Sequence, residues 1–264
     1  MKFKYETHLH TIQGSACGRS PGRDYIAKYK DLGFAGIFVT DHFFHGNCRP
    51  DRSLSWQKWV DEYCRGYEEA REEGEKRGLP VFFGLEERFD LSDEWLIYGL
   101  DKDFLLAHPD MREWGRREWL EHVRAAGACA IQCHPFRQAF YMSDIGVCLA
   151  VDGVEVCNSG NHPEWDALAA RYVRRMLPHA FLSAGSDIHD ISARYGEQIF
   201  GVSFDHPLTC EQDYVHAVLT NAPHGLVIPE GRDAPSAGDP GLTMPLTVFG
   251  RGCERTRLTA LDIL

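Results

Sequence analysis

The sequence predicts an α/β fold in which a single domain forms a closed or nearly closed barrel. The chain has 264 residues, of which 44% are hydrophobic, enough for one large core. Short apolar runs alternate along it with segments of helical period, which is the pattern of βα units. Seven such units in a domain of this length favour a barrel.

The predicted strands are short runs rich in apolar residues. They cover residues 3–8, 35–40, 80–86, 104–107, 128–133, 153–157 and 180–185. From about residue 229 the chain becomes rich in Gly and Pro, and one further strand candidate, PLTVF, follows. We therefore expect residues 1–264 to form one domain, with a core of about residues 1–228 and a C-terminal wrap over 229–264.

Two segments between the strands have clear helical amphipathicity. In residues 56–77, aromatic side chains recur at spacings of three and four from Trp56 to Tyr67, and Glu–Lys and Glu–Arg pairs lie on the other face. Residues 163–176 repeat the apolar spacing. We interpret both aromatic stripes as faces packed on the core.

Composition excludes some classes of function and favours others. The formal net charge of -11 argues against binding to the phosphate backbone of a nucleic acid polymer. A small anionic substrate held by metal ions is compatible with this charge. Nine cysteines at irregular spacings, without a CxxC pair, favour reduced thiols in a cytoplasmic protein. The chain has no apolar run of membrane-spanning length and no N-terminal apolar signal region. The oligomeric state stays open.

Almost every predicted strand ends in side chains that can ligate a metal ion. They are His8 and His10 after the first strand, Asp41 and His42 after the second, Glu86 and Glu87 after the third, His108 after the fourth, His134 after the fifth, and Asp187 and His189 after the last. In a parallel barrel the carboxyl ends of the strands meet at one mouth. Imidazoles with carboxylates suit zinc, manganese or iron, and a bridging carboxylate suits a pair of ions. The sequence therefore predicts a polynuclear metal site.

Read in order, the motifs HLH, TDH, GLE, AHP, HPFR and SDIH resemble those of the PHP superfamily of metal-dependent phosphoesterases, named for polymerase and histidinol phosphatase. The resemblance spans residues 8–189. It implies a distorted seven-stranded β/α barrel with two or three divalent ions at the carboxyl ends of the strands. It also implies three ligand sets: His8, His10, Glu86 and Asp187 for one ion; Glu86, His108 and His134 for a second; and His42 and His189 for a third.

The loop after the first strand departs from the family pattern. Many members carry an Asp or His there as a further ligand of the third ion, whereas this chain reads TIQGSACGRS. The nearest equivalents are Ser15 and Cys17. A Cys17 thiolate could ligate zinc, and a cysteine packed in the loop is the alternative, so occupancy of the third site stays open.

The expected activity is hydrolysis of a phosphate ester of a small metabolite, of the histidinol-phosphate or nucleotide phosphatase type, by a metal-activated hydroxide. We expect Asp187 or His189 to carry the proton to or from the leaving oxygen. Arginine suits phosphate because its fork donates paired hydrogen bonds. The candidate phosphate contacts are Arg137, Arg194, Arg19 and Arg88. Three further residues are candidates for orienting a ligand or for contacting a third ion or the substrate: Asp41, Cys17 and Glu155.

Other activities stay open at this stage. A cyclic phosphodiesterase would use the same metal mouth. An amidohydrolase that cleaves C–N bonds typically adds a carboxylated or bridging lysine, and no lysine ends a predicted strand. A 3′-exonuclease is disfavoured by the acidic charge, and a non-catalytic metal-binding module by the number of candidate ligands.

Overall fold

The computed structural model describes residues 2–91, 93–140, 142–192, 199–229, 232, 242, 244–256 and 258–264. The strands are β1 (Phe3–Glu6), β2 (Phe34–Val39), β3 (Val81–Arg88), β4 (Glu94–Tyr98), β5 (Cys129–Cys133), β6 (Ile145–Cys148), β7 (Gly153–Asn158), β8 (Phe181–Gly185), β9 (Gly201–Phe204), β10 (Gly225–Val227), β11 (Leu246–Phe249) and β12 (Arg255–Thr256). The helices are α1 (Asp24–Asp31), α2 (Trp56–Arg77), α3 (Lys102–Ala107), α4 (Arg116–Ala125), α5 (Pro163–Met176), α6 (Glu211–Leu219) and α7 (Ala260–Ile263), with a 3-10 helix at Pro109–Glu113.

Nine strands form one barrel-shaped sheet in the order β10-β9-β1-β2-β3-β4-β5-β7-β8. β1, β2 and β3 run parallel, as do β5, β7 and β8, whereas β4 and β9 run antiparallel to their neighbours. The chain beyond β1 closes the barrel at its mouth, because His10 N donates to Ile188 O at 2.9 Å and Asp187 N donates to His8 O at 2.8 Å. The predicted α/β barrel is confirmed, with antiparallel strands that the βα pattern did not predict.

A small second sheet joins the C-terminal segment to the middle of the chain. Its order is β12-β11-β6, and β11 runs parallel to β6 with Phe249 opposite Cys148. The strand predicted for PLTVF is therefore present as β11. The division into a core and a wrap stays a prediction.

The predicted strand at 104–107 is wrong. These residues form α3, which begins after Asp101, whose carboxylate accepts a hydrogen bond from Phe104 N at 2.8 Å. The strand between β3 and β5 is instead β4, whose residues are all buried. A short apolar run such as FLLA does not distinguish strand from helix, and the capping aspartate decides for the helix.

The two predicted amphipathic helices are present with the expected bounds, as α2 and α5. α2 ends at Gly78, whose φ of 68° is the left-handed conformation that favours glycine. Its aromatic stripe packs on the core, where Trp59 stacks on Tyr63 and both rings meet Phe43 edge-on. None of the described helices is long and apolar enough to cross a membrane, and all nine cysteines are free thiols.

Candidate metal centre

Ligand-type side chains converge where the strands end at the mouth of the barrel. Eight residues make up this mouth cluster: His8, His10, His42, Glu86, Glu94, His134, Asp187 and His189. Seven of them are among the residues predicted from sequence, and Glu94 is an addition. Most of the cluster is buried, so its charges act on one another with little screening by water.

Glu86 lies at the centre of the mouth cluster and is fully buried. Its Oε1 atom is 3.3 Å from His8 Nε2 and 3.2 Å from His134 Nε2. Its Oε2 atom is 3.5 Å from His10 Nε2 and 2.5 Å from His42 Nδ1. One carboxylate thus meets four imidazoles, which is the position of a bridging ligand.

Two buried atoms in this centre, Glu86 Oε2 and His42 Nδ1, have no hydrogen-bond partner in the part of the chain that the structure describes. They lie side by side without the geometry of a hydrogen bond. Buried polar atoms are almost always satisfied, and a carboxylate oxygen and an imidazole nitrogen both donate lone pairs to cations. The donor set therefore fits divalent metal ions.

Asp187 forms the first group with His8 and His10, and the ligand atoms of the three residues all lie within 4.8 Å of one another. Asp187 Oδ1 is 3.5 Å from His8 Nε2 and 3.0 Å from His10 Nε2. The other carboxylate oxygen, Oδ2, is 2.8 Å from Arg137. This group contains three of the four residues that the resemblance implies for one ion. His10 also belongs to another group, and its Nε2 atom can serve only one ion.

A second group surrounds His134. Its Nε2 atom lies near Glu86 and is 3.7 Å from Glu94 Oε2. Cys133 Sγ donates to Glu86 Oε1 at 3.2 Å, and the ligand atoms of Glu86, Cys133 and His134 lie within 4.8 Å of one another. The ligand atoms of His42, Glu86 and Glu94 also lie within 4.8 Å of one another.

A third group consists of His10, His42 and His189, again within 4.8 Å. The rings of His10 and His189 stack with centroids 4.3 Å apart. Cys17 lies beside this group, and although burial raises the pKa of its thiol, hydrogen bonds with His189 and His42 lower that pKa to about 6. The loop cysteine is therefore positioned as a potential thiolate ligand.

The charges of the mouth cluster shift the pKa values of its members in opposite directions. Burial lowers the pKa of His10 well below its usual range, and the neighbouring His189 and His42 add to the effect. Burial opposes protonation of His8 too, yet Asp187, Glu155 and Glu86 raise the pKa of His8 well above its usual value.

Glu155 orients two residues of the mouth cluster. Its Oε1 atom is 3.0 Å from His8 Nδ1, and its Oε2 atom accepts from His134 N at 3.1 Å and from Asn158 Nδ2 at 2.8 Å. A carboxylate only accepts, so His8 Nδ1 carries the hydrogen and Nε2 is left for a metal ion. The predicted role of Glu155 beside a ligand fits this position.

Asp41 is connected to the mouth cluster through Ser15. Asp41 Oδ1 accepts from Ser15 Oγ and from Thr11 N, both at 2.6 Å. Ser15 Oγ then accepts from His42 N at 3.0 Å and lies 3.1 Å from His10 Nδ1. Because the Ser15 hydroxyl hydrogen points to Asp41, His10 Nδ1 is the donor and its Nε2 faces the other ligands.

Arg137 borders the cluster and is held by three side chains. Its Nη2 atom donates to Asn158 Oδ1 and to Asp187 Oδ2, both at 2.8 Å, and its Nε atom donates to Asn161 Oδ1 at 3.0 Å. The guanidinium is thus fixed beside a carboxylate that also faces two imidazoles.

The other predicted arginines have different positions. Arg19 is exposed and lines a cavity of about 330 Å³ together with Cys17, Asp187 and His189. Arg88 lies near Glu94, where its charge offsets part of the rise that burial causes in the pKa of Glu94. Arg194 lies outside the described residues.

His108 is not part of the mouth cluster. Because residues 104–107 are helical, its ring stacks on Phe104 with centroids 4.0 Å apart, and its Nδ1 atom lies 2.8 Å from Phe104 O. Trp114 and His122 cover the ring from other sides. The structure therefore does not bring His108 to the ligand set implied for it.

Glu94 is not among the residues predicted from sequence, because the rule for parallel barrels applies only to the carboxyl ends of strands. β4 is antiparallel, so its first residue, Glu94, lies at the mouth, opposite Arg88 of β3 and Cys133 of β5. The signal was present as the five-residue run EWLIY. Reading that run as a strand of reversed direction would have found the carboxylate.

Two residues of the mouth cluster have left-handed backbone conformations that non-glycine residues rarely adopt. His134 has a φ of 30° and Asp187 has a φ of 52°. His134 directly follows β5, and Asp187 lies two residues beyond the end of β8. In these conformations His134 contacts Glu86, and Asp187 contacts His8 and His10.

Comparison with solved structures identifies the fold. The chain aligns over 87% of its length with a two-domain protein from Bacteroides vulgatus that contains a predicted PHP-like metal-dependent phosphoesterase, at a TM-score of 0.61 and 16% identity, and it spans 66% of that protein. It also aligns with a proposed metal-dependent phosphoesterase from Bifidobacterium adolescentis (TM-score 0.50, 17% identity, 81% of this chain and 95% of the other). A third match is PsfC from Pseudomonas syringae, with a TM-score of 0.50 and 15% identity. The alignment covers 87% of this chain and 92% of PsfC. No protein-family model and no curated protein sequence matches the chain. The chain therefore has the fold of the PHP-like metal-dependent phosphoesterases.

Proposed function

We propose that the protein is a metal-dependent phosphoesterase that hydrolyses phosphomonoesters of small metabolites. The observation that carries the proposal is Arg137, a fixed guanidinium in contact with Asp187 at the edge of a cluster of imidazoles and carboxylates. Metal ligands alone fit many hydrolases, whereas a fixed guanidinium beside them adds a permanent positive charge that fits an anionic substrate. Two structural neighbours described as phosphoesterases support the proposal.

The residues of the mouth cluster would hold two or three divalent ions. Bound ions of this kind polarise a phosphoryl oxygen and lower the pKa of a water molecule. Zinc, manganese and iron all suit a set of imidazoles and carboxylates. Glu155 and Asp41 keep His8 and His10 in the tautomers that leave Nε2 available.

The substrate phosphate would lie between the ligands and Arg137. Asn158 and Asn161 hold the guanidinium in place, so little entropy is lost when it binds an anion. His189 is partly exposed, its Nδ1 atom lies 2.8 Å from Asp187 O, and its side chain also hydrogen-bonds with Cys17. In the form of the centre in which His189 holds no ion, we assign proton transfer to the leaving oxygen to His189 together with Asp187.

An amidohydrolase is the second candidate because a similar cluster of ligands can cleave C–N bonds. Among the described residues no strand of the barrel sheet ends in a lysine, whereas such enzymes typically have a carboxylated or bridging lysine there. The cavity of about 330 Å³ beside His189 suits a small substrate in either case.

The test is a phosphate-release screen over phosphorylated metabolites with freshly purified protein, run beside panels of amides, cyclic phosphodiesters and single-stranded DNA. We expect phosphate release from monoesters, and a loss of at least 100-fold in kcat/KM in His134→Asn and Asp187→Asn. The exposed His206→Asn variant is the matched control. Turnover of amides with no phosphate release would overturn the proposal.

A further inference from the structure

We propose that Glu94 is a metal ligand and that it divides the centre into two chemically different subsites. The carboxylate subsite (Glu86, Glu94 and His134) suits manganese or iron(II), and the imidazole subsite (His10, His42 and His189) suits zinc. This inference rests on the proposed metal binding of the mouth cluster but not on the bond that the enzyme cleaves.

The position of Glu94 in the fold supports its role as a metal ligand. The antiparallel direction of β4 puts this residue at the mouth and next to the end of β5, where His134 follows. Glu94 is buried, and its Oε2 atom lies 3.7 Å from His134 Nε2. Its carboxylate also lies within 4.8 Å of ligand atoms of His42 and Glu86. Two buried carboxylates this close repel each other unless a cation lies between them.

Glu86 Oε2 and His42 Nδ1 are buried and lie 2.5 Å apart, and neither has a hydrogen-bond partner among the described residues. Both belong to the group of three that Glu94 completes, so His42 lies where the carboxylate subsite meets the imidazole subsite. A carboxylate oxygen beside an imidazole nitrogen and a second carboxylate is an arrangement that a divalent ion satisfies.

The two subsites differ in the donor atoms that they offer to a metal ion. The carboxylate subsite supplies two carboxylates and one imidazole, because His108, the histidine expected there, stacks on Phe104 instead. The imidazole subsite supplies three imidazoles with the Cys17 thiol beside them. Oxygen donors suit manganese, whereas imidazole and thiolate suit zinc. Zinc in excess would bind both subsites, because affinity at any one ligand set favours zinc over manganese.

The experiment reconstitutes metal-free full-length protein with one equivalent of zinc and a roughly 20-fold excess of manganese. Bound metals are counted by mass spectrometry, and crystals are measured at the zinc and manganese absorption edges. We expect a zinc peak among His10, His42 and His189 and a manganese peak beside Glu94. Catalytic activity is not a readout, so failure of the proposed phosphoesterase function does not affect the result.

Variants provide the second readout. Glu94→Gln is expected to weaken manganese binding by at least 10-fold and to leave one zinc in place. Glu94→His is expected to divide the one equivalent of zinc between the two subsites under the same conditions. Glu87→Gln is the matched control, because that buried carboxylate pairs with His45 instead, and His108→Asn is the control for the sequence prediction.

Two results would overturn the inference. One is a wild-type protein with zinc bound among the imidazoles and no manganese beside Glu94. The other is a folded Glu94→Gln variant, checked by circular dichroism, that binds manganese as tightly as the wild type. A wild-type protein that binds no metal at all would overturn both this inference and the proposed function.

Discussion

At the scale of single residues, the guanidinium of Arg137 is the group on which the proposed phosphate recognition depends most directly. Asn158, Asn161 and Asp187 fix it through separate hydrogen bonds from Nη2 and Nε. Arg137→Lys keeps the charge but loses the planar fork, so we expect kcat/KM for a phosphomonoester to fall about 10- to 100-fold. Steady-state kinetics at unchanged metal content measure this, and the exposed Arg174→Lys is the control. Equal kcat/KM in both variants would contradict the role of Arg137.

Glu155 contacts two candidate metal ligands, the side chain of His8 and the backbone of His134. Glu155→Gln replaces one accepting oxygen by an NH2 group, which cannot accept from His8 Nδ1–H or from His134 N–H. We expect metal affinity to fall about 10- to 100-fold. Competition against a chromogenic chelator measures the affinity, with the exposed Glu164→Gln as the control. Unchanged affinity in Glu155→Gln would show that the contact does not orient His8.

Asp166 gives the folded protein a pH dependence that is separate from the metal centre. Burial raises its pKa from 3.8 to about 6, although hydrogen bonding from Asn161 and the charge of Arg232 oppose the shift. The folded state therefore holds the proton more tightly than the unfolded chain. The stability from this proton is fully present below about pH 4 and is lost as the pH rises through about 6.

Asp166→Asn cannot titrate and should not show this loss. Relative to the variant, the wild type is expected to lose about 2 kcal/mol of unfolding free energy between pH 4 and pH 7. Urea unfolding of both proteins at several pH values measures the difference. Parallel stability curves would mean that Asp166 has an ordinary pKa in the folded state.

At the scale of secondary-structure elements, the strand ends explain which ligands the sequence could predict. His8, Glu86 and Asp187 follow or end strands that run in the expected direction, so the rule for parallel barrels finds them. The rule fails at β4, because its reversed direction brings the start of a strand, Glu94, to the mouth. The prediction for His108 is wrong for a different reason, because the apolar run FLLA before it belongs to a capped helix.

The hydrogen bonds around these ligands could not be predicted from sequence for a further reason. Ser15 and Glu155 each connect residues that are far apart in the chain, and only the closed barrel brings them together. Composition and periodicity carry information about local structure and burial, not about which side chain meets which across a barrel. The orientation of the ligands is therefore a property of the fold.

The pairing of β11 with β6 makes the C-terminal segment a candidate part of the main core. Phe249 is buried, and the Arg116 guanidinium lies 3.9 Å from the centre of its ring. Phe249→Ala is expected to lower the free energy of unfolding by about 3–5 kcal/mol and to keep a single cooperative transition. Denaturant unfolding followed by fluorescence and by circular dichroism measures both. Two separate transitions would contradict the proposed single domain.

At the scale of the whole molecule, the mouth cluster is where the barrel closes. The chain beyond β1 and the chain beyond β8 are joined there by His10 N to Ile188 O and Asp187 N to His8 O. Glu6 adds to this junction, because its Oε1 atom accepts from His8 N and Ser186 N, both at 2.9 Å. Metal ions bound among His8, His10 and Asp187 would therefore stabilise the closure itself.

Metal removal should accordingly destabilise the entire barrel. An ion present at 1,000 times its dissociation constant stabilises the folded state by about 4 kcal/mol. For a protein of this size that corresponds to a fall of about 10 °C in Tm when the ion is chelated. Differential scanning calorimetry with and without chelator measures it, and added manganese or zinc should restore the Tm. The Asp187→Asn variant should respond less, and an equal response would place the stabilising ions elsewhere.

The left-handed backbone at His134 and Asp187 has a consequence for engineering. A non-glycine residue in this conformation costs about 1–3 kcal/mol, and both residues carry that cost at the ends of buried strands. Glycine or asparagine adopts the same conformation more readily. Laboratory evolution that selects for heat resistance in the presence of a chelator, where bound ions contribute no stability, is therefore expected to replace these two positions early. A more robust barrel without catalytic capacity would result, so a selection for durability needs a simultaneous selection for turnover.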